Sequence, residues 1–504
     1  MFVTLIKTAA ATIIMSLRLA CTEIVVTLWV DNSSSVMRKL LWTMGLMLLA
    51  LTACIKRSGN FQPDNTGVRL DSTNLPIVWI EVDGDSIERD ARIGAYMKII
   101  HNGNGKINYA DTIAHTNQRV NYQGYISLRH RGNSTYYNSP KKGYSIRTLS
   151  EPLWRGLAKK DNVSLLGMGR DNNWALLAPY NDKSMMRDLL AFEISRPWME
   201  YAPQGRYCEV FLDGTYYGVF ILSEVVTKGR YRLDLRKPGD QGDALTGDYM
   251  MEVDNNDDVT YVSKHHPISN SGVPYTNRYI LFQYKFPDYE DLEEYQRDYI
   301  NHRVDLMENA LASGNYRDYI DVMSFIDYQL AMELGHNVDA YRFSVKFYKR
   351  RDSEDPRFKL VVWDMNLAYG NSHRLEGWRN DTWRYLSNDM MNREGETFLM
   401  PFWWQRLNND PQYTAQLKAR WAEYRRSNLR EENVMAIIDS LSNVLTSHGA
   451  ELRNSQAWPS WGVKVWGNYY VASDFDDEVA HLKQWLRERI AWMDKQLGYQ
   501  PIEN

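Results

Sequence analysis

The spacing of apolar residues changes once along this chain, and that change limits the folds open to it. From Leu75 to Asp254 the apolar residues fall in short runs that alternate or stop at turn residues. From Glu290 onward they recur at intervals of three and four. A period of two belongs to strands and a period near 3.6 to helices. The chain is therefore read as α+β, with a strand-rich part over residues 76–235 and a helix-rich part over 236–504. Its 504 residues leave room for about two to four domains or lobes.

In the first part, residues 76–82, 95–100, 125–131 and 174–178 read as strands. On the third, Ile126, Leu128 and His130 share one face, and Ser127, Arg129 and Arg131 the other. Residues 207–224 form a hairpin on Asp213-Gly214, a dipeptide suited to a two-residue turn. A helix is expected from Asp182 or Ser184, with Asp182 as its N-cap and Met185, Leu189, Leu190 and Phe192 inward. Residues 247–254 read as a further strand, and 255–285 as a loop with little fixed structure. Helices are expected over 290–313, 316–335, 411–427, 431–448 and 475–497, with 443–451 and 458–466 as connections.

One stretch breaks the helical pattern. Asp339 sits where the helix carrying Phe325, Leu330 and Leu334 should end. Residues 344–348 have strand character, and Asp364 closes the apolar run 360–363. A carboxylate after a helix, a hairpin, and a second carboxylate ending the returning strand can divide phosphoryl transfer between them. One orients or deprotonates a hydroxyl, and the other holds a metal on nucleotide phosphates. Earlier in the chain, the loop Arg131-Gly132-Asn133-Ser134 between two strands can offer backbone N–H groups to an anion. Lys141 or Lys142 could reach the same phosphates, only one of them pointing inward. Arg187 could face the cleft, and Glu224 leaves an apolar strand. Ligands commonly bind in a cleft between two such parts.

The amino terminus reads as targeting sequence. Residues 37–54 run from a basic start through an apolar core to Leu51-Thr52-Ala53-Cys54, which resembles a bacterial lipobox with Cys54 as the acylated residue. Translation is expected to begin at Met37, so that residues 1–36 are not part of the protein, and 55–75 are expected to be a tether. Of three cysteines, only Cys208 lies outside that region, which excludes a disulfide framework and a Cys-based zinc site. The net charge of −4 gives no reason to expect nucleic acid as a partner.

Several of these stretches together resemble the CotH family of atypical, spore-coat-type protein kinases. The marks are Arg131-Gly132-Asn133-Ser134-Thr135, Pro140 to Ile146, Trp174 to Leu177 with Asp182 to Asp188, Phe211 to Glu224, Gly247 to Asp254, Asn337-Val338-Asp339, and Val362 to Gly370. The layout is similar to its secreted, lipid-anchored versions. The resemblance implies a two-lobed protein-kinase-like fold that transfers the γ-phosphoryl group of ATP to protein Ser or Thr with Mg²⁺ or Mn²⁺. By motif, Asp339 would be the catalytic-loop aspartate, with Asp364 and Asn366 at the metal. Lys141 or Lys142 would contact the phosphates, beside the loop from Arg131 to Ser134. Arg187 and Glu224 would be supporting residues.

Two positions depart from that pattern. Ser344 stands where a metal-binding Asn falls five residues after the catalytic aspartate. The family's Asp-X-Asp is Asp364-Met365-Asn366 here, one negative charge fewer for the cation. These departures keep a second reading open, a pseudokinase-like scaffold lipoprotein for protein or glycan partners. A third is a carbohydrate-active enzyme using Glu252 and Asp254. On the first reading the partners are ATP, a protein substrate and, through Cys54, the cell-envelope membrane, on its periplasmic or outer surface, with the protein a monomer.

Overall fold

The computed structural model describes residues 67–82 and 86–500. The expectations for Met37, the signal at 37–54 and Cys54 fall outside the described residues. Pro63–Asn504 makes up one compact unit. It begins earlier than the expected tether allows: Leu70 and Thr73 are buried, and Leu75 packs into a core.

The first strands are β1 (Ser72–Thr73), β2 (Ile77–Glu81), β3 (Ile93–Ile100), β4 (Asn108–Tyr109), β5 (Val120–Arg131), β6 (Gly143–Leu149), β7 (Asn173–Leu177), β8 (Gly205–Leu212) and β9 (Thr215–Glu224). β1 and β4 pair as a small ribbon. The other seven close a barrel in the order β2-β3-β5-β6-β7-β9-β8, sealed by a parallel pairing of β2 with β8. The α+β class is as expected, but closure into a barrel is not something that strand-by-strand alternation announces. Val78, Ile126, Ile146, Phe220 and Leu222 fill its interior. Val219 and Ile221 point outward on β9 into a second core. Because β9 is covered on both sides, its sequence is a continuous apolar run and not an alternation. The expected turn forms at Asp213 (φ +48°) and Gly214 (φ +75°).

The second core lies among helices and another sheet. Its strands are β10 (Tyr249–Val253), β11 (Thr260–Val262), β12 (Leu281–Phe286), β13 (Val345–Lys349) and β14 (Lys359–Val361), in the antiparallel order β11-β12-β10-β13-β14. Two of these strands correct the reading of 255–285 as a loop. Phe282, facing the core, stacks on Trp403 at 6.0 Å, while Gln283 lies opposite Glu252.

The helices are α1 (Ser134–Asn138), α2 (Arg187–Ser195), α3 (Gly242–Thr246), α4 (Glu294–Ser313), α5 (Val322–Gly335), α6 (Asn388–Arg393), α7 (Trp403–Asn408), α8 (Pro411–Arg425), α9 (Glu431–Thr446), α10 (Ala450–Ala457) and α11 (Phe475–Leu497). α2 starts later than expected, at Arg187. Asp182 does not cap it in the ordinary way but accepts the Arg187 backbone N–H at 2.8 Å and its guanidinium at 2.6 Å. α10 lies mostly between the two expected connections, 443–451 and 458–466, where no element is expected. It is polar and short, and polar contacts hold it to the barrel. Arg453 pairs with the buried Glu209 at 2.7 and 2.8 Å, and Trp458 donates to the Tyr217 carbonyl.

Candidate active site

α5 carries its own start signal, Asp321, whose carboxylate accepts the Ser324 N–H at 3.0 Å. It stops at His336, which takes a left-handed conformation (φ +44°). Asn337 then ties two chain segments together. Its side-chain nitrogen donates to the Asp364 carbonyl at 3.0 Å, and its oxygen accepts the Asp339 N–H at 3.1 Å. From there the chain runs out along β13 and back along β14, which brings Ser344 beside Asp364; the hydroxyl donates to the carboxylate at 3.2 Å. The hairpin that the sequence implies is therefore what joins the two aspartates.

The backbone through this stretch is unusual. His336, Tyr341, Ser344, Asp364 and Tyr369 all have φ between +44° and +71°. Left-handed conformations cost a non-glycine residue about 1–2 kcal/mol each. They persist where surrounding contacts fix them, and they gather at functional sites.

Asp364 sits among like charges. Burial is the largest influence raising its pKa, followed by the nearby Asp339, with Glu252 adding to it; Arg131 and the Ser344 hydroxyl act in the opposite direction. Behind it, the Asp188 carboxylate accepts the Met365 N–H at 2.7 Å. Burial and Asp364 push Asp188 up to about 7, against the Met365 amide and Arg131. Asp254, which accepts the Ser344 N–H at 3.2 Å, is also pushed to about 7, by burial and then by Glu252. Arg131 ends β5 with its guanidinium over the Trp363 ring at 5.3 Å. Burial lowers its pKa, and Asp364 and Asp188 hold it up.

This surplus of carboxylate over guanidinium fits a divalent cation. Asp364 offers carboxylate oxygens and Asn366 an amide oxygen, the hard donors that Mg²⁺ and Mn²⁺ prefer. The Asn366 amide nitrogen donates to Asp364 at 3.2 Å, so the two side chains already meet. Among the described residues, no three His, Cys, Asp or Glu form a ready metal-holding group.

The other expected residues separate. Gly132 (φ +93°) turns the loop after Arg131; a Cβ there would meet the Thr135 hydroxyl at 2.2 Å, so only glycine fits. Asn133 donates to Asp257 at 2.7 Å, linking the loop to residues after β10. Ser134 opens α1. Lys141 does not reach Asp364. It is buried with its ammonium on the Val219 carbonyl at 2.5 Å and on Asn454 at 2.8 Å, which fastens α10 to β9. Lys142 folds back onto the Tyr136 carbonyl and ring. Arg187 does not face a cleft: it is closed by Asp182 at 2.6 Å, Glu478 at 2.9 Å and the Ala368 carbonyl at 3.1 Å. Glu224 accepts from Tyr201 and the Gln204 N–H, away from both aspartates.

Residue-by-residue reading also misses several neighbours. Glu252 lies across from Lys346 on the sheet and pairs with it at 2.5 Å and with Lys285 at 3.2 Å. Burial works against the Glu252 charge, yet the two lysines hold its pKa low. The shared face of Glu252 and Asp254 was visible as spacing; the lysines were not. Arg342, fully buried, contacts Asp339 at 3.5 Å, Glu396 at 2.8 Å and the Phe398 carbonyl at 3.1 Å. Glu396 is held in turn by Arg374 at 2.6 Å.

The family model described as CotH kinase protein matches residues 128–493, from within β5 to within α11. The chain belongs to that family. No curated protein matches its sequence.

Proposed function

We propose that this protein is an atypical kinase that transfers the γ-phosphoryl group of ATP to Ser or Thr of a protein, and that it works at the cell envelope as a lipoprotein anchored at Cys54. Its α+β layout then acts as a kinase-like pair of lobes, with the barrel as the smaller one. The observation that carries the reading is the pairing of Asp339 and Asp364 through Asn337, in a chain whose family match spans both.

In this reading Asp364 and Asn366 would hold Mg²⁺ or Mn²⁺, which would offset the negative charge of the nucleotide phosphates. Arg131, near the same carboxylates without pairing to them, would be the site's own cation for the phosphates. Asp339 orients the acceptor hydroxyl and takes its proton. Arg342 keeps the Asp339 carboxylate in place. Phosphoryl transfer passes through a loose transition state, so most of the rate comes from placement and charge stabilisation. Asp188 keeps the Met365 amide, and with it the turn that presents Asp364, in position. Lys141 is engaged by Val219 and Asn454 and Lys142 by Tyr136, while Lys346 and Lys285 pair with Glu252.

The test is transfer of label from γ-labelled ATP in the presence of Mn²⁺ or Mg²⁺, to the protein itself and to a generic Ser-rich acceptor. Label on Ser or Thr that disappears in Asp339→Asn supports the reading. Asn366 and the Ser344–Asp364 contact favour one alternative, a catalytically weak scaffold. That alternative predicts a folded protein that binds nucleotide without transferring label.

A further inference from the structure

Residues 377–383 follow Asp364 in the chain and cross the surface without helix or strand. Trp378 and Asp381 on this loop are exposed, and Thr382 is half-buried. The Thr382 hydroxyl lies 3.0 Å from Nε2 of His336, the residue that ends α5. Burial, then Arg384 and Arg489, hold the His336 pKa well below its ordinary value, and Arg379 adds to them. The ring is therefore neutral, and the hydroxyl beside it stands in the field of three guanidinium groups.

The three differ in what answers them. Arg489 has Glu333 at 3.2 Å, and its Nη1 donates to the Thr382 carbonyl at 2.6 Å. Arg379 has Asp381 at 2.9 Å and Glu376 at 3.3 Å. Arg384 is fully buried. Its Nη1 donates to the Leu375 carbonyl at 2.9 Å, while Nε and Nη2 have no partner among the described residues. Burial and then Arg342 lower its pKa to about 10, against Glu333, Asp339 and Glu376. Glu333 meets the Arg384 backbone N–H, at 2.7 Å. A buried guanidinium with two unmatched donors is costly. Arg384 is closed to solvent, so the anion that completes it is one carried in on the chain. Thr382, two residues away, offers the hydroxyl for it. A phosphoryl group supplies a double negative charge and strong acceptor oxygens, which a guanidinium fork binds by charge-assisted hydrogen bonds. The turn beneath can rearrange to receive it: Leu375 (φ +48°) and Glu376 (φ +55°) hold a left-handed backbone that persists only through its surroundings.

We propose that Thr382 is a phosphorylation site of this protein and that Arg384 receives the phosphoryl group. The inference rests on the kinase reading, with ATP as donor. The bond from Thr382 Oγ to the γ-phosphorus forms and the bond from that phosphorus to the β,γ-bridging oxygen breaks. The hydroxyl proton passes to Asp339, and ADP leaves. Held by Arg384, the phosphoryl group fastens the loop to the end of α5, from which Asn337 and Asp339 follow.

The test incubates the full chain with ATP and Mn²⁺ beside a generic Ser-rich acceptor and maps the modified peptides by mass spectrometry. Phosphorylation of Thr382 is expected in wild type and in Arg384→Met, and is absent in Thr382→Val while the acceptor is still labelled. In wild type it should raise the thermal midpoint by about 2 °C. Added phosphatase should release the group about tenfold more slowly from wild type than from Arg384→Met. Circular dichroism checks the fold of Arg384→Met; should that variant not fold, the midpoint of wild type with and without the group decides. A labelled acceptor with Thr382 unmodified overturns the proposal and leaves the kinase reading standing. So does a phosphoryl group on Thr382 that shifts neither the midpoint nor its own release. Label on neither acceptor nor protein overturns both.

Discussion

Arg187 and Arg131 both lie among carboxylates, and they differ in how their charge is balanced. Arg187 is fully enclosed. Asp182 and Glu478 contact it directly, a carbonyl takes its Nε, and its pKa is raised against burial by those carboxylates. Arg131 faces Asp364, Asp188 and Glu252 without a close ion pair to any of them, and its pKa falls. The first cluster is complete and joins α2 to α11. In the second, Lys346 and Lys285 balance Glu252, but among the described residues Asp364 and Asp188 have no cation in direct contact and their pKa values are driven up. Saturated pairing is the mark of scaffold here, and the unbalanced charge around Asp364 is what the proposed cation site rests on.

The largest expected effect separates them by function. Asp364→Ala should leave the fold intact and lower phosphoryl transfer about a thousandfold; measured kcat checks it. Arg187→Met should do the reverse. Leaving Asp182 and Glu478 buried without their partner should cost about 3–5 kcal/mol, read as a drop in the urea midpoint. If Arg187→Met were as stable as wild type, the contrast would fail.

A smaller effect is expected at Arg342. Arg342→Lys keeps a cation but loses the fork that holds Asp339 and Glu396 together. It should lower kcat about ten- to a hundredfold with little change in KM for ATP, and Glu396→Gln should follow it in the same direction. Equal changes in KM would point to nucleotide binding instead.

The smallest effect is a slope. The folded-state pKa of Asp188 is near 7, above the ordinary 3.8, so the folded protein holds that proton more tightly than the unfolded chain. The stability this contributes is complete below about pH 4 and is lost as pH rises through 7. Asp188→Asn, which keeps an acceptor for the Met365 amide, should flatten that part of the stability curve. Urea midpoints between pH 4 and 8 would show it.

What could be read from the sequence was local. The end of α5, the hairpin and the end of β14 lie within one stretch, so Asp339 and Asp364 could be paired by inspection. The span of α11 was likewise marked by its apolar spacing. Asp188 meets Met365 across 177 residues and Arg342 meets Glu396 across 54, and no periodicity records such contacts. Lys141 and Lys142 precede β6; the direction of Lys141 is fixed only when β9 and α10 close over it, and that of Lys142 by Tyr136 of α1. β12 was hidden for another reason. Its Leu-Phe-Gln-Tyr-Lys-Phe does alternate in part, but the polar residues before it outweighed the signal. α10 had no apolar stripe to reveal it, since Asn454 and Arg453 hold it by polar contacts.

The most direct measurement is calorimetry of ATP binding to the purified protein with and without Mg²⁺ or Mn²⁺, beside Asp364→Ala and Asp339→Asn. The account predicts binding that requires the metal, is lost in Asp364→Ala and persists in Asp339→Asn. A folded wild-type protein that binds no nucleotide with either metal would contradict it, because the carboxylates around Asp364 would then be unbalanced for some other purpose.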